Sequence, residues 1–412
     1  MSGYNSEMKI IEGKSISWVK GFQAIGIASG IKSSGAKDMC LIYSERPAAA
    51  AASFTTNVVK AAPVVLDIKN IEGGSIRALI VNSGNANACT GEEGYADAVG
   101  MAGITAEQLG IAPESVLVYS TGVIGVRLPM DKVRAGIVNC SKSLVSESED
   151  HAAEAIMTTD LSKKSIFVQM QLSGKTISIA GIAKGSGMIH PNMATMLSYV
   201  VTDANITSEM LKKIQKSSVE KSFNMISVDG DTSTNDSATL LANGFAENDL
   251  IDSENDDYYK LQESIDYINT WLAKKIAADG EGATKLVEID LKGAYTDEAA
   301  RKMAKSVISS SLVKTAMHGA DANWGRILCA MGYSGACFVP DKANVSFVSS
   351  AGKLEVFRDG KPIIFDEGIA RAVLSENEVS IQIVLADGNG SAKAWGCDLS
   401  AKYVEINGNY RS

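Results

Sequence analysis

A layered α/β fold is what this sequence predicts, and two observations carry that reading. Short apolar strand patterns alternate with long stretches of helical period along the whole chain, and no fixed-period repeat or low-complexity linker interrupts them. The second observation is bulk composition. The chain has 412 residues, 45% hydrophobic and 21% charged, with 37 glycines against 7 prolines. That balance suits a large core with many tight turns.

The elements follow in order. Residues 18–45 mix apolar runs with glycines and read as strand–turn–strand. The run Ile76–Val81 (IRALIV) reads as a buried strand feeding a polar loop, NSGNANACTGEEG, at 82–94. A polar loop after a buried strand is a natural rim for a site. Helical spacing follows at about 95–109 and 129–145. Residues 164–183 alternate apolar and polar side chains around Ser173-Gly174, the clearest hairpin in the chain. Helical periods return at about 207–222, 254–278 and 296–317, and short strand patterns such as VSIQIVL (379–385) close the chain. The acidic stretch 244–259 reads as a solvated insertion.

Composition excludes several function classes. The formal net charge is −9 with no basic cluster, which argues against nucleic-acid binding. Six scattered cysteines, without a CxxC pair, argue against a zinc ribbon or a disulfide framework. No apolar stretch is long enough to span a membrane and no export signal is visible, so a cytoplasmic location is expected.

The three histidines, His151, His190 and His318, sit in no nucleophile-elbow or metal-ligand spacing. The glycines of GIAKGSG (181–187) lack the dinucleotide order. A histidine-independent Thr or Ser nucleophile remains. Threonine can serve when its own α-amino group is the base, which requires it to begin a chain. The reference pKa of an α-amine, about 7.7–8.0, suits that task. A mid-chain threonine reaches this state by attacking the preceding carbonyl; the N-to-O acyl shift gives an ester, and hydrolysis frees the amine. Met193-Ala194-Thr195-Met196-Leu197 allows such chemistry, with Pro191, His190 and Asn192 nearby. Taken alone, Thr195 reads first as an ordinary threonine opening a buried strand, since a small-Thr-apolar tripeptide is too common to single out.

The surroundings of Thr195 decide between these readings. KGSGMIHPNMATML (184–197) resembles the cleavage motif of the ornithine acetyltransferases, or glutamate N-acetyltransferases, of arginine biosynthesis. FTTNVVKAAPV (54–64), VNSGNANACTG (81–91), STGVIG (120–125), MTTD (157–160), VDGDTSTNDS (228–237), DGEGATK (279–285), GADANWGRI (319–327) and WGCDLSAKYVEINGNYRS (395–412) resemble further family blocks, in family order.

The resemblance implies an αββα sandwich of the self-processing, N-terminal-nucleophile-like kind. It implies cleavage between Ala194 and Thr195 into chains 1–194 and 195–412 that stay associated, paired into a heterotetramer. The implied reaction is ping-pong acetyl transfer from N-acetylornithine to glutamate through acetyl-Thr195, without metal or organic cofactor. Thr121 and Gly122 fall on the family's oxyanion hole. Thr158, Lys184, Thr195, Glu281, Asn407 and Ser412 fall on its substrate-binding positions. Ser412 stands where threonine is usual and Gly408 where alanine is common. Some family members also accept acetyl-CoA, and no residue here chooses. Two alternatives are an aminopeptidase or amidase on the same scaffold and a non-catalytic binding protein. Asp229, Asp231 and Asp236 lack calcium-loop spacing and read as a turn network near the site. Trp324 and Arg326 read as packing.

Overall fold

The computed structural model of the chain describes residues 8–190 and 196–409. The hairpin at Ser173-Gly174 forms because both residues take positive φ, 49° and 72°, the turn whose twist matches paired strands. Its arms are two of the nine strands of the larger sheet. In chain order these are Lys9–Ile10 (β1), Phe22–Ile27 (β2), Met39–Phe54 (β3), Ser75–Asn85 (β4), Val116–Val123 (β5), Lys164–Leu172 (β6), Lys175–Lys184 (β7) and Leu197–Thr202 (β8). Ile226–Ser227 (β9) belongs to the second sheet, and Ser237–Ala242 (β10) completes the first. The spatial order is β1-β6-β7-β8-β10-β3-β4-β5, with β2 paired to β3.

The second sheet adds Leu286–Ala294 (β11), Asn344–Ser349 (β12), Gly352–Arg358 (β13), Lys361–Pro362 (β14), Glu378–Val384 (β15) and Gly390–Cys397 (β16). Its order is β14-β13-β12-β15-β11-β16-β9.

Helices layer these sheets. Ala62–Asn70 (α1), Gly91–Leu109 (α2) and Met130–Lys142 (α3) bury Leu66, Met101 and Val133 against Leu41, Ile80 and Val118 of the larger sheet. His151–Ile156 (α4) caps the opposite face, over Ile42, Val81 and Tyr199. Ser208–Lys221 (α5) and Asp256–Ala278 (α6) share the largest core. The stripe Leu261, Ile265, Ile268, Leu272 and Ile276 gives α6 a continuous apolar face. It packs so closely on β7 that a Cβ at Gly181 would lie 2.9 Å from Ile268 and Leu272. The same helix reaches β16 of the second sheet. Asp297–Ser309 (α7), Ser311–His318 (α8), Trp324–Gly332 (α9) and Glu367–Leu374 (α10) join that core, and Ala401–Asn409 (α11) ends the described chain. The layered α/β expectation is met.

Two local expectations change. The helical stretch 296–317 is two helices, because Ser310 leaves the helix and its hydroxyl caps the next one at Val313 N–H. The acidic 244–259 stretch is not wholly solvated. Asn248 accepts from Asn205 N–H at 2.7 Å, and Ile251 is buried and bridges Ile206. Trp324 stacks on Phe357 at 4.9 Å, which agrees with a packing role.

One crossing positions the site. β7 and β8 are antiparallel neighbours, Lys184 opposite Leu197, joined by the segment 185–196. β8 and β10 fill the middle of the sheet, between β7 on one side and β3 on the other.

Candidate active site

Thr121, Gly122, Thr158, Lys184, Glu281 and Asn407 come together, although the sequence scatters them over nearly 300 positions. They line one cleft of about 120 Å³ with Ala86, Met196, Ser233, Asn235 and Asp236. Thr195, Ala194 and Ser412 lie outside the described residues, as do Pro191 and Asn192. Met196 and Leu197, which follow Thr195, are cleft residues.

Gly122 sits at the end of β5, where β4 bulges so that Asn85 pairs with both Thr121 and Val123. Its φ of 131° and its approach to Gly84, 2.4 Å from where a Cβ would stand, admit only glycine. Asn235 ties this strand end to the 82–94 loop, donating to Ala86 O at 2.6 Å and Ser120 O at 2.8 Å. The loop therefore does form a rim.

Lys184 is the buried cation of the site. Its Nζ donates to Thr158 Oγ1 at 2.7 Å and Thr121 Oγ1 at 3.4 Å, with Asp160 at 4.0 Å. Burial lowers its pKa, and the Asp160 carboxylate opposes that shift. Asp160 itself accepts from Thr158 N–H, Gly185 N–H and Lys164 Nζ, at 3.0, 2.7 and 2.7 Å. Burial raises the Asp160 pKa, but Lys184, Lys164 and the Gly185 N–H outweigh it and hold the carboxyl at about 2.

Glu281 faces the cleft from the turn after α6. Asn407 Nδ2 on α11 donates to Glu281 Oε2 at 2.8 Å. Gly187 approaches that carboxylate so closely that a Cβ there would stand 2.4 Å from it and push the Glu281 side chain aside. Asp229 accepts from Met188 N–H at 2.6 Å and Ile189 N–H at 2.8 Å, so part of the acidic block is a turn network beside the site. Burial, together with the charge of Lys305, drops the His190 pKa to about 4, leaving a neutral ring that meets Ser227 Oγ at 3.1 Å. Among the described residues no group of three or more His, Cys, Asp or Glu could hold a metal, and no helix is long and apolar enough to cross a membrane.

Sequence reasoning missed Asp160, Asn235 and the full part of Asp229. The signal was present: all three lie inside family-like blocks, but the backbone N–H groups that donate to Asp160 and Asp229, and the carbonyls that accept from Asn235, are brought to them only by the fold.

Fold and cleft together define a layered α/β protein with a small, charged candidate site. The chain belongs to the ArgJ family, whose sequence model matches residues 23–412. Arginine biosynthesis bifunctional protein ArgJ 1 of Clostridium acetobutylicum is 54% identical over 405 residues, covering 98% of this chain and 99% of that protein. The ArgJ protein of Caldanaerobacter subterraneus is 52% identical, covering 98% and 100%. The crystal structure of Mycobacterium tuberculosis ornithine acetyltransferase complexed with ornithine is 39% identical, with a TM-score of 0.42, covering 45% of this chain and 100% of that one.

Proposed function

We propose that this protein transfers acetyl from N-acetylornithine to glutamate, by a ping-pong route through Thr195. One observation carries the reading. In a chain more than half identical to an ArgJ protein, six residues of the expected chemistry line a cleft that also holds Met196, the residue after Thr195.

Self-cleavage comes first. Thr195 Oγ attacks the Ala194 carbonyl, the Ala194–Thr195 amide breaks as the ester forms, and water releases residues 1–194. The Thr195 amine, now free, takes the hydroxyl proton as Oγ attacks the acetyl carbonyl of N-acetylornithine. The tetrahedral oxyanion accepts hydrogen bonds from the Thr121 hydroxyl and the Gly122 N–H. Collapse breaks the amide bond and the proton passes to the departing ornithine nitrogen. The glutamate amine then takes the acetyl from Thr195 through the reverse steps. Lys184, with Thr158, binds the α-carboxylate that both amino acids share. Glu281, steadied by Asn407, faces the ammonium of ornithine, and Ser412 closes the ligand site.

No metal or organic cofactor enters this scheme, because the acetyl group rides on Thr195. The two chains stay associated and pair into a heterotetramer in the cytoplasm. Acetyl-CoA as sole acetyl source for glutamate is the second donor to assay, since the relatives are named bifunctional. An aminopeptidase or amidase would instead release acetate or amine to water. Measured transfer from N-acetylornithine to glutamate, exceeding hydrolysis, supports the acetyltransferase; hydrolysis alone overturns it. On denaturing gels the purified protein should run as two bands, and Thr195→Ala as one inactive band. Cleavage in that variant would refute the acyl shift.

A further inference from the structure

Behind the cleft runs a chain of buried charge that the reaction scheme does not use. Lys164 has a fully buried side chain, 1% exposed, although it carries an ammonium group. It bridges Asp160 Oδ1 at 2.7 Å and Asp279 Oδ2 at 2.6 Å. Buried charges of this kind persist only when paired and hydrogen-bonded. Both aspartates also hold backbone or side-chain groups around the cleft. Asp160 fixes Thr158 N–H and Gly185 N–H, the latter adjacent to Lys184. Asp279 accepts from Leu161 N–H at 3.0 Å, and its own carbonyl accepts from Ser186 Oγ at 2.7 Å. Glu281 N–H in turn donates to Ser186 O at 2.9 Å.

We infer that Asp160 is a positioning residue for acetyl transfer. Anchored through Lys164 to Asp279, it keeps the Lys184 ammonium charged and aimed past Thr158 toward the α-carboxylate of donor and acceptor alike. The inference rests on the proposed transfer reaction. Five groups set the charge on Lys184: Asp160, Asp236 and Glu281 favour it, whereas Lys164 and Lys32 oppose it. Asp160 is the largest of the favourable influences, so removing its charge leaves only the weaker pull of Asp236 and Glu281 against burial and Lys164. A substrate carboxylate needs the charged form, which exists below the Lys184 pKa. Loss of Asp160 therefore moves the loss of affinity to lower pH.

The test is steady-state kinetics of Asp160→Asn across pH. The KM for N-acetylornithine and the KM for glutamate should both rise about tenfold or more, with kcat changed far less. The alkaline limb of kcat/KM should move to lower pH for both substrates. An unmoved limb, or a fall in kcat with both KM values unchanged, overturns the proposal. Should Asp160→Asn fail to fold, Asp160→Glu keeps the charge and displaces it by one methylene. That variant should raise both KM values and leave the limb in place; unchanged KM values overturn the proposal equally. If the wild-type protein shows no transfer between these substrates, the functional reading fails instead, which is a separate result.

Discussion

At the scale of single residues, Gly122 makes the sharpest demand. A methyl group there would collide with Gly84 and Asn85, and the backbone already occupies a region that L side chains rarely adopt. If Gly122 is the oxyanion donor proposed above, Gly122→Ala should lower acetyl transfer about 10²-fold or more. Substrate titration checks that binding survives, and a loss explained wholly by unfolding would count against the role. Asp67 offers a different kind of prediction. It is fully buried; its Oδ1 accepts from Val118 N–H at 2.8 Å, and its Oδ2 finds no partner among the described residues. Burial raises its pKa well above the usual carboxylate range. A folded-state pKa above the unfolded one means the unfolded chain gives up its proton first, so stability falls as pH rises above about 4. Asp67→Asn keeps the acceptor without the charge. Its Tm should exceed that of wild type at pH 8 and converge with it near pH 4; an offset independent of pH would refute the account.

At the scale of elements, α11 combines a functional residue with poor packing. None of its residues is buried, yet Asn407 reaches Glu281 in the cleft. Its start is held by Ser400, whose hydroxyl donates to Gly282 O at 2.6 Å. Ending the chain after Ser400 should leave Tm within about 2 °C of wild type, because few buried contacts are lost. The KM for N-acetylornithine should rise about tenfold, read from initial rates. A large drop in Tm would show that the helix serves the core instead. Elements were also where sequence patterning reached furthest. The 164–183 hairpin, the strand in 76–81 and the helices near 95–109, 207–222 and 254–278 were all visible, because one-sided burial writes a period into the chain. The short α4 and the strands β12 to β14 were not, since two to seven residues hold too little of a period. The break at Ser310 was hidden for another reason: a serine reads the same inside a helix and at its cap.

At the scale of the whole molecule, the cleft residues were named one by one through family-like blocks, without any view of how they meet. Asp160 and Asn235 escaped even so, since Gly185 N–H for the one and the Ala86 and Ser120 carbonyls for the other are distant in sequence and meet them only in the fold. The order of the larger sheet makes a prediction about the two chains proposed for the mature protein. Residues before 195 supply β6 and β7 on one flank and β3 to β5 on the other, while β8 and β10 from the later part fill the gap. Both fragments should co-elute as one species in native size exclusion and separate only in denaturant. Free fragments under native conditions would contradict a shared sheet.

That central placement of β8 and β10 also bears on how the molecule could be recovered once lost. Before cleavage, the two middle strands find their slot as part of one chain, at a rate independent of concentration. After cleavage, the same slot must be refilled by a separate molecule, so recovery becomes second order and competes with aggregation of the exposed strand edges. A backbone cut as proposed would thus turn a reversible folding problem into an assembly made once, and the persistence of the two-chain protein would be set by how slowly it opens.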